Sequence, residues 1–247
     1  MKQNDYQGIF LSLLFIVLVF FFTRNYYSPF FWMILGLFLL LAFLREENRL
    51  FTWVIISFFG GNLIVIYVDK FIEGMIVDPF FRLLMNQILF IIPILSMCYV
   101  IKQFNKRISF FFKIPESSSI LYIVLLLMFT GFSFLFFIKD GMNVFLSLFT
   151  FSLLHAAVQE VIWRGILLTQ MIKITSERTA ILFASIAFAV NTTIFGFSPA
   201  VLLLYLILGL MFAFLTTKLK IILPAIVVHT VVLLFCFLNG WIQLPIL

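Results

Sequence analysis

His155-Ala156-Ala157-Val158-Gln159-Glu160-Val161-Ile162-Trp163-Arg164-Gly165 sets an imidazole, an amide, a carboxylate and a guanidinium inside an otherwise apolar segment. Residues 144–172 have the length and composition of one membrane-spanning helix, in which each ionised group costs about 2.5–3.5 kcal/mol at the bilayer centre on insertion scales. Groups that expensive face a cavity or a partner. Glu160 and Arg164 lie one helical turn from each other and can neutralise one another. His155, Gln159 and Trp163 form the adjacent stripe.

The surrounding chain is apolar throughout. Of its 247 residues 64% are hydrophobic and only 11% charged, with 36 Phe, a composition that excludes a water-soluble domain around one buried core. A spanning helix takes about 20 mostly apolar residues. Runs of that length, separated by short charged loops, occur at 8–22, 27–44, 50–68, 83–101, 120–138, 144–172, 180–197, 200–217 and 221–238. Ten-residue stretches of alternating polarity are absent, which argues against a barrel. The first run ends in Thr23-Arg24-Asn25 without a small-x-small cleavage site and reads as a retained span. The expected fold is all-α, a polytopic transmembrane helix bundle of about eight or nine spans. Residues 1–140 supply about five of them, and residues 141–247 form the unit that carries the polar motif.

The formal charge of +6 belongs to the loops. With nine spans, the side of the N-terminus collects Lys2, Arg45, Arg49, Lys102, Lys106, Arg107, Lys113, Lys173, Arg178, Lys218 and Lys220. The other side has Arg24, Lys70, Arg82 and Lys139. That asymmetry places the N-terminus in the cytoplasm, and accounts for the basic residues by contact with membrane lipids, without nucleic acid. Cys98 and Cys236 lie in apolar runs without a CxxC or CxxH neighbourhood and read as packing residues. Two histidines and no HExxH pair leave no protein-built zinc site, and no cofactor is expected.

Residues that act together must share a depth. At 1.5 Å per residue, Glu160 and Thr192 lie roughly 18 Å from the cytoplasmic ends of their spans, and Arg164 and His229 roughly 12 Å. A polar cavity opening to the cytoplasm between spans six, seven and nine is therefore expected. Each member also has a structural reading. Glu160 and Arg164 can be a register-fixing ion pair, and His229 a hydrogen-bonded packing residue. His155 can bond to Gln159, and Asn191-Thr192-Thr193 can join helices. Asn62, Asn86 and Gln87 are isolated polar residues with no assigned role.

Gln159-Glu160-Val161-Ile162-Trp163-Arg164-Gly165 resembles the Glu-Glu-x-x-x-Arg-Gly motif of the CAAX-protease and bacteriocin-processing (CPBP, or Abi) family of glutamate-type intramembrane endopeptidases. That family's Phe-x-x-x-His and His-x-x-x-Asn motifs align with Phe188 and Thr192, and with His229 and Leu233, in the right order. The resemblance covers roughly residues 144–238. It implies a site in which the first Glu, the two His and the Asn surround an attacking water, with the carboxylate as general base. Here Gln159, Thr192 and Leu233 replace three of those four, and His229 remains. Glu160 and Arg164, the motif's supporting pair, are kept. A neutral amide does not take a proton from water, and loss of a general base removes about 10²–10⁴ in rate.

Two functions follow. In the first, the protein is a catalytically impaired family member, a scaffold or regulator of another membrane or cell-envelope protein. In the second, it is an active intramembrane endopeptidase that uses Glu160 as base with His229, Arg164 supporting and His155 replacing the missing imidazole. The family pattern and the absence of an organelle signal suit a bacterial plasma membrane.

Overall fold

The computed structural model describes residues 3–24, 29–75, 78–106, 131, 141–192 and 198–241. Every regular element among them is helical: α1 (Gln3–Thr23), α2 (Pro29–Phe43), α3 (Glu46–Ile72), α4 (Pro79–Leu89), α5 (Ile91–Gln103), α6 (Met142–Glu160), α7 (Leu168–Ile174), α8 (Glu177–Asn191), α9 (Pro199–Leu219) and α10 (Leu223–Leu238). A π-helical stretch, Val161–Leu167, joins α6 to α7. The polytopic helix bundle expected from the hydropathy is therefore the fold. Tyr6–Thr23, Asn48–Ile72, Pro79–Gln103, Met142–Ile174 and Pro199–Leu219 are long and apolar enough to cross a membrane, and Pro29–Leu41 and Leu223–Phe237 are shorter apolar helices. The expected span at 120–138, the end of the expected span at 180–197, and Lys2, Arg107, Lys113 and Lys139 lie outside the described residues.

Local chemistry sets the helix boundaries. Asp78, Ser176 and Ser198 cap α4, α8 and α9 by accepting the backbone N–H of Phe81 (2.6 Å), Thr179 (3.3 Å) and Val201 (3.2 Å). Pro79 and Pro199 sit in the first turns of two of these helices, where their missing N–H is harmless. The break at Phe90 between α4 and α5 precedes Pro93, which cannot donate to the carbonyl one turn before it. Lys220 ends α9 in the left-handed region at φ 57°.

Two glycines set how closely the helices approach. A Cβ on Gly8 would collide with the carbonyl of Ile174, and one on Gly61 with the backbone of Pro93. The start of α1 thus lies against the end of α7, and α3 against α5. Gln7 donates to the carbonyl of Leu41 at 3.0 Å, which brings the end of α2 to the same level. At the centre, Trp163 is buried among rings: its indole lies 6.3 Å from Phe15 of α1 and 5.8 Å from Phe58 of α3, and those two are 6.0 Å apart. Edge-on and tilted pairs of this kind add about 0.5–1.5 kcal/mol each beyond their burial. The N-terminal helices and the motif helix thus share one core.

These contacts also define the two ends of the bundle. Gly8, Leu41 and Ile174 meet at one end, beside the turns that carry Arg45, Lys173 and Arg178. That basic end is the one for which the charge rule sets the expectation of a cytoplasmic side. The ends of α1 at Thr23 and of α8 at Asn191 form the other.

Candidate functional site

Two polar assemblies grow from the motif helix, and adjacent residues start them. Gln159 and Glu160 project about 100° apart around the helix axis. Glu160 is fully buried and turns towards α9 and α10. Its Oε1 accepts from His229 Nδ1 at 2.8 Å and from Arg164 Nη1 at 3.3 Å, and its Oε2 faces Arg164 Nε at 3.3 Å. With a carboxylate as acceptor, Nδ1 is the nitrogen of His229 that carries the proton. Arg164 also donates from Nη2 to the carbonyl of Gly209 at 3.3 Å. A Cβ on Gly209 would press on Ser185 at 3.1 Å, so that glycine lets α9 lie close against α8.

Rings enclose this cluster. The guanidinium carbon of Arg164 sits 4.1 Å from the centroid of Phe188 and 5.4 Å from that of Phe212. His229 stacks on Phe212 at 5.1 Å. Arg164 is 2% exposed and His229 1% exposed. Fork geometry, a carbonyl acceptor and two ring faces offset the desolvation of the charged groups. Within this shell His229 Nε2 has no hydrogen-bond partner among the described residues.

The motif helix widens here. Over Val161–Leu167 it is π-helical, and Leu168 N–H bonds to the carbonyl of Trp163. Such bulges concentrate at functional sites and re-aim side chains. On either side of the bulge Trp163 faces the aromatic core and Arg164 faces Glu160.

Gln159 starts the second assembly. A cavity of about 350 Å³ is lined by Gln159 and His155 of α6, Asn62 of α3, Asn86 and Gln87 of α4, and Asn191 of α8 with the following Thr192. Tyr205, Thr23, Phe22, Phe90 and Phe188 complete much of the wall. Hydrogen bonds hold the amides in place. Gln159 Oε1 accepts from Trp163 Nε1 at 3.0 Å, and Gln87 Oε1 meets His155 Nδ1 at 2.9 Å. Asn62 donates to the carbonyl of Phe58 at 2.7 Å. Among the described residues no charged side chain lines this space. Phe188 belongs to both assemblies, lining the cavity and carrying the Arg164 guanidinium.

Glu160, Arg164 and His229 come together, as depths within about one helical turn of each other allow, and the His155 ring reaches within 5.9 Å of His229. His155 bonds to Gln87 of α4 instead of Gln159. The cavity itself corrects two expectations. It is walled by α1, α3 and α4 as well as by the motif helix, and its described lining includes no residue of α10, His229 among them. It also runs from mid-depth at Gln159 towards the ends of α1 and α8, away from the basic end of the bundle. The depth argument failed because it set Thr192 inside a continuing helix, whereas α8 stops at Asn191. Asn62, Asn86 and Gln87 had no role by sequence. Their only signal was polarity on apolar spans, which by itself marks a cavity or a partner.

Among the described residues no group of three His, Cys, Asp or Glu could hold a metal ion. Leu233, at the position where the family motif has Asn, is buried and apolar. Residues 141–235 match the family model described as Rce1-like, Type II CAAX prenyl endopeptidase Rce1-like, and the match supports assignment to the CAAX-protease family. Comparison with curated proteins finds no match, and neither does comparison with solved structures.

Proposed function

We propose that this multi-pass membrane protein of the CAAX-protease family works by binding and not by hydrolysis, as a scaffold or regulator of another membrane or cell-envelope protein. The observation that carries this reading is the division of labour at positions 159 and 160. The side chain presented to the cavity is the amide of Gln159, held by Trp163, while the carboxylate of Glu160 is sealed behind Phe188 with Arg164 and His229. A group that cannot accept a proton occupies the place next to any bound ligand. Among the described residues the carboxylate beside that place is that of Glu160, which is paired with Arg164 and His229 and does not line the cavity.

A second reading has its own support. Glu160, His229 Nδ1 and a buried, unbonded Nε2 have the order of a carboxylate-oriented imidazole base. In that reading the protein is an endopeptidase that cleaves a membrane-associated protein or peptide after a rearrangement opens His229 to the cavity.

Mapping protein N-termini in membranes with and without the chain separates the two. The binding reading expects no terminus that depends on the chain. It is overturned by termini that vanish in both Glu160→Gln and His229→Ala while those variants stay folded. A regulatory effect on a partner that persists in Glu160→Gln paired with Arg164→Met supports it.

A further inference from the structure

The cavity's chemistry is unusual for a space inside a membrane protein. Five carboxamides, those of Asn62, Asn86, Gln87, Gln159 and Asn191, border about 350 Å³. Three of these come from α3 and α4, outside the residues 141–235 that match the family model. The site is therefore completed by the N-terminal half of the chain.

Each candidate class of ligand meets these walls differently. Among the described residues a cation or anion would meet no counter-charge, and its desolvation would be costly. A hydrocarbon chain would leave the amides facing carbon. The fixed bonds decide what the amides offer inward. Gln159 and Gln87 have their oxygens engaged by Trp163 and His155, which leaves their NH₂ groups as donors. Asn62 has its NH₂ engaged by Phe58, which leaves its oxygen as an acceptor. These three amides thus present both donors and an acceptor to the cavity. A hydroxyl both donates and accepts, so a ring carrying several of them matches this pattern at high density. Phe22, Phe90, Phe188 and Tyr205 supply flat apolar faces for the C–H side of such a ring. An extended peptide has one backbone donor and one acceptor per residue, a lower density of hydrogen-bonding groups than a sugar ring offers.

We propose that this cavity binds an uncharged polyhydroxylated ligand, a glycosyl group, with Asn62, Asn86 and Gln87 of the N-terminal helices as specificity residues. The proposal rests on the reading that the site binds without hydrolysing. Because the cavity lies towards the end of the bundle opposite its basic loops, the ligand enters from the non-cytoplasmic side, as a lipid headgroup or as free sugar.

The test uses the full chain in phosphatidylcholine nanodiscs, with the thermal midpoint followed by fluorescence. Diglucosyl-diacylglycerol in the disc and maltose in solution are the two sugar probes. Diacylglycerol and phosphatidylglycerol are the controls. The expected result is a raised midpoint with a sugar probe and none with either control, with apparent affinity falling about tenfold in Asn62→Leu and in Asn86→Leu. A response to the glycolipid alone assigns a lipid-borne sugar, and a response to maltose as well assigns a free one. No response to either probe, an equal response to phosphatidylglycerol, or a sugar response that both variants retain overturns the proposal and leaves a water-filled cavity.

Should the variants unfold, a photoreactive glucosyl lipid on the unaltered protein decides. Adducts on α3 and α4 near Asn62 and Asn86, competed by the unlabelled lipid, support the site. Adducts confined to exposed positions such as Tyr67 and Leu95 refute it. The binding reading fails separately, through chain-dependent proteolysis. A sugar test that fails without such proteolysis sinks only the ligand assignment.

Discussion

The buried ion cluster and the amide-lined cavity start from neighbouring residues and solve opposite problems. In the cluster, full charges sit in a dry shell, and each finds a partner within the fold: Glu160 with His229 and Arg164, Arg164 with the carbonyl of Gly209. In the cavity, neutral groups face open volume with part of their hydrogen-bonding capacity uncommitted. Charges paired within the fold hold structure, and neutral groups with free hydrogen-bonding capacity are the ones open to a ligand. The difference teaches that in this chain the most expensive residues need not be the ones that meet the ligand.

The sharpest way to break that contrast is to unbalance the cluster. Arg164→Met leaves Glu160 buried with only His229, and removal of one partner of a buried pair costs about 3–5 kcal/mol. Adding Glu160→Gln removes the orphaned charge and is expected to recover most of the loss. Reversible unfolding in micelles measures both. A silent single variant would mean that the carboxylate is not held as an ion, and the structural role given to the cluster would fall.

Phe188 is the wall between the two regions. Phe188→Leu removes the ring face from the guanidinium, worth about 0.5–2 kcal/mol, and its contacts with Trp163 at 5.9 Å and Tyr205 at 6.0 Å. The expected outcome is a moderate loss of stability together with entry of water to Arg164, read as faster solvent exchange in that helix. Unchanged exchange would show that another group makes the seal.

Much of this was legible from residue order, and the remainder was not, for reasons that lie in packing. Hydropathy found the helices because a bilayer demands long apolar runs. Residue spacing brought Glu160, Arg164 and His229 to within about one helical turn in depth because helical rise is constant. Asn62, Asn86 and Gln87 could not be assigned, since their convergence depends on how α3 and α4 lean on the motif helix. That lean is set by close approaches such as Gly61 against Pro93, which no periodicity reveals. The π-helical turn at Val161–Leu167 carries no proline and only one glycine, Gly165, to announce it. The end of α8 at Asn191 comes five residues before Gly196, the one glycine in the run, so the sequence pattern carried the helix too far.

Smaller effects sharpen the comparison further. Gln87→Leu removes the 2.9 Å contact to His155 that ties α4 to the motif helix. Hydrogen bonds between membrane helices average about 0.6 kcal/mol and reach about 1.7, so a loss in that range is expected in the same unfolding assay. A larger loss would place Gln87 with the structural cluster.

Asn62→Leu should show the least effect on folding and the clearest effect on binding. The side chain is half-buried, and its one hydrogen bond among those described returns to the carbonyl of Phe58 in its own helix, so it joins no two elements. A substitution of that kind away from the packed core changes stability by about 0.5 kcal/mol or less. Asn62 nonetheless lines the cavity together with Gln159 and Asn191, and its oxygen is left as an acceptor for a ligand hydroxyl. Full stability with lost ligand response would separate binding from folding at a single residue, which no substitution in the Glu160 cluster can do. A stability loss as large as that of Arg164→Met would instead make Asn62 part of the scaffold, and the cavity a by-product of helix packing.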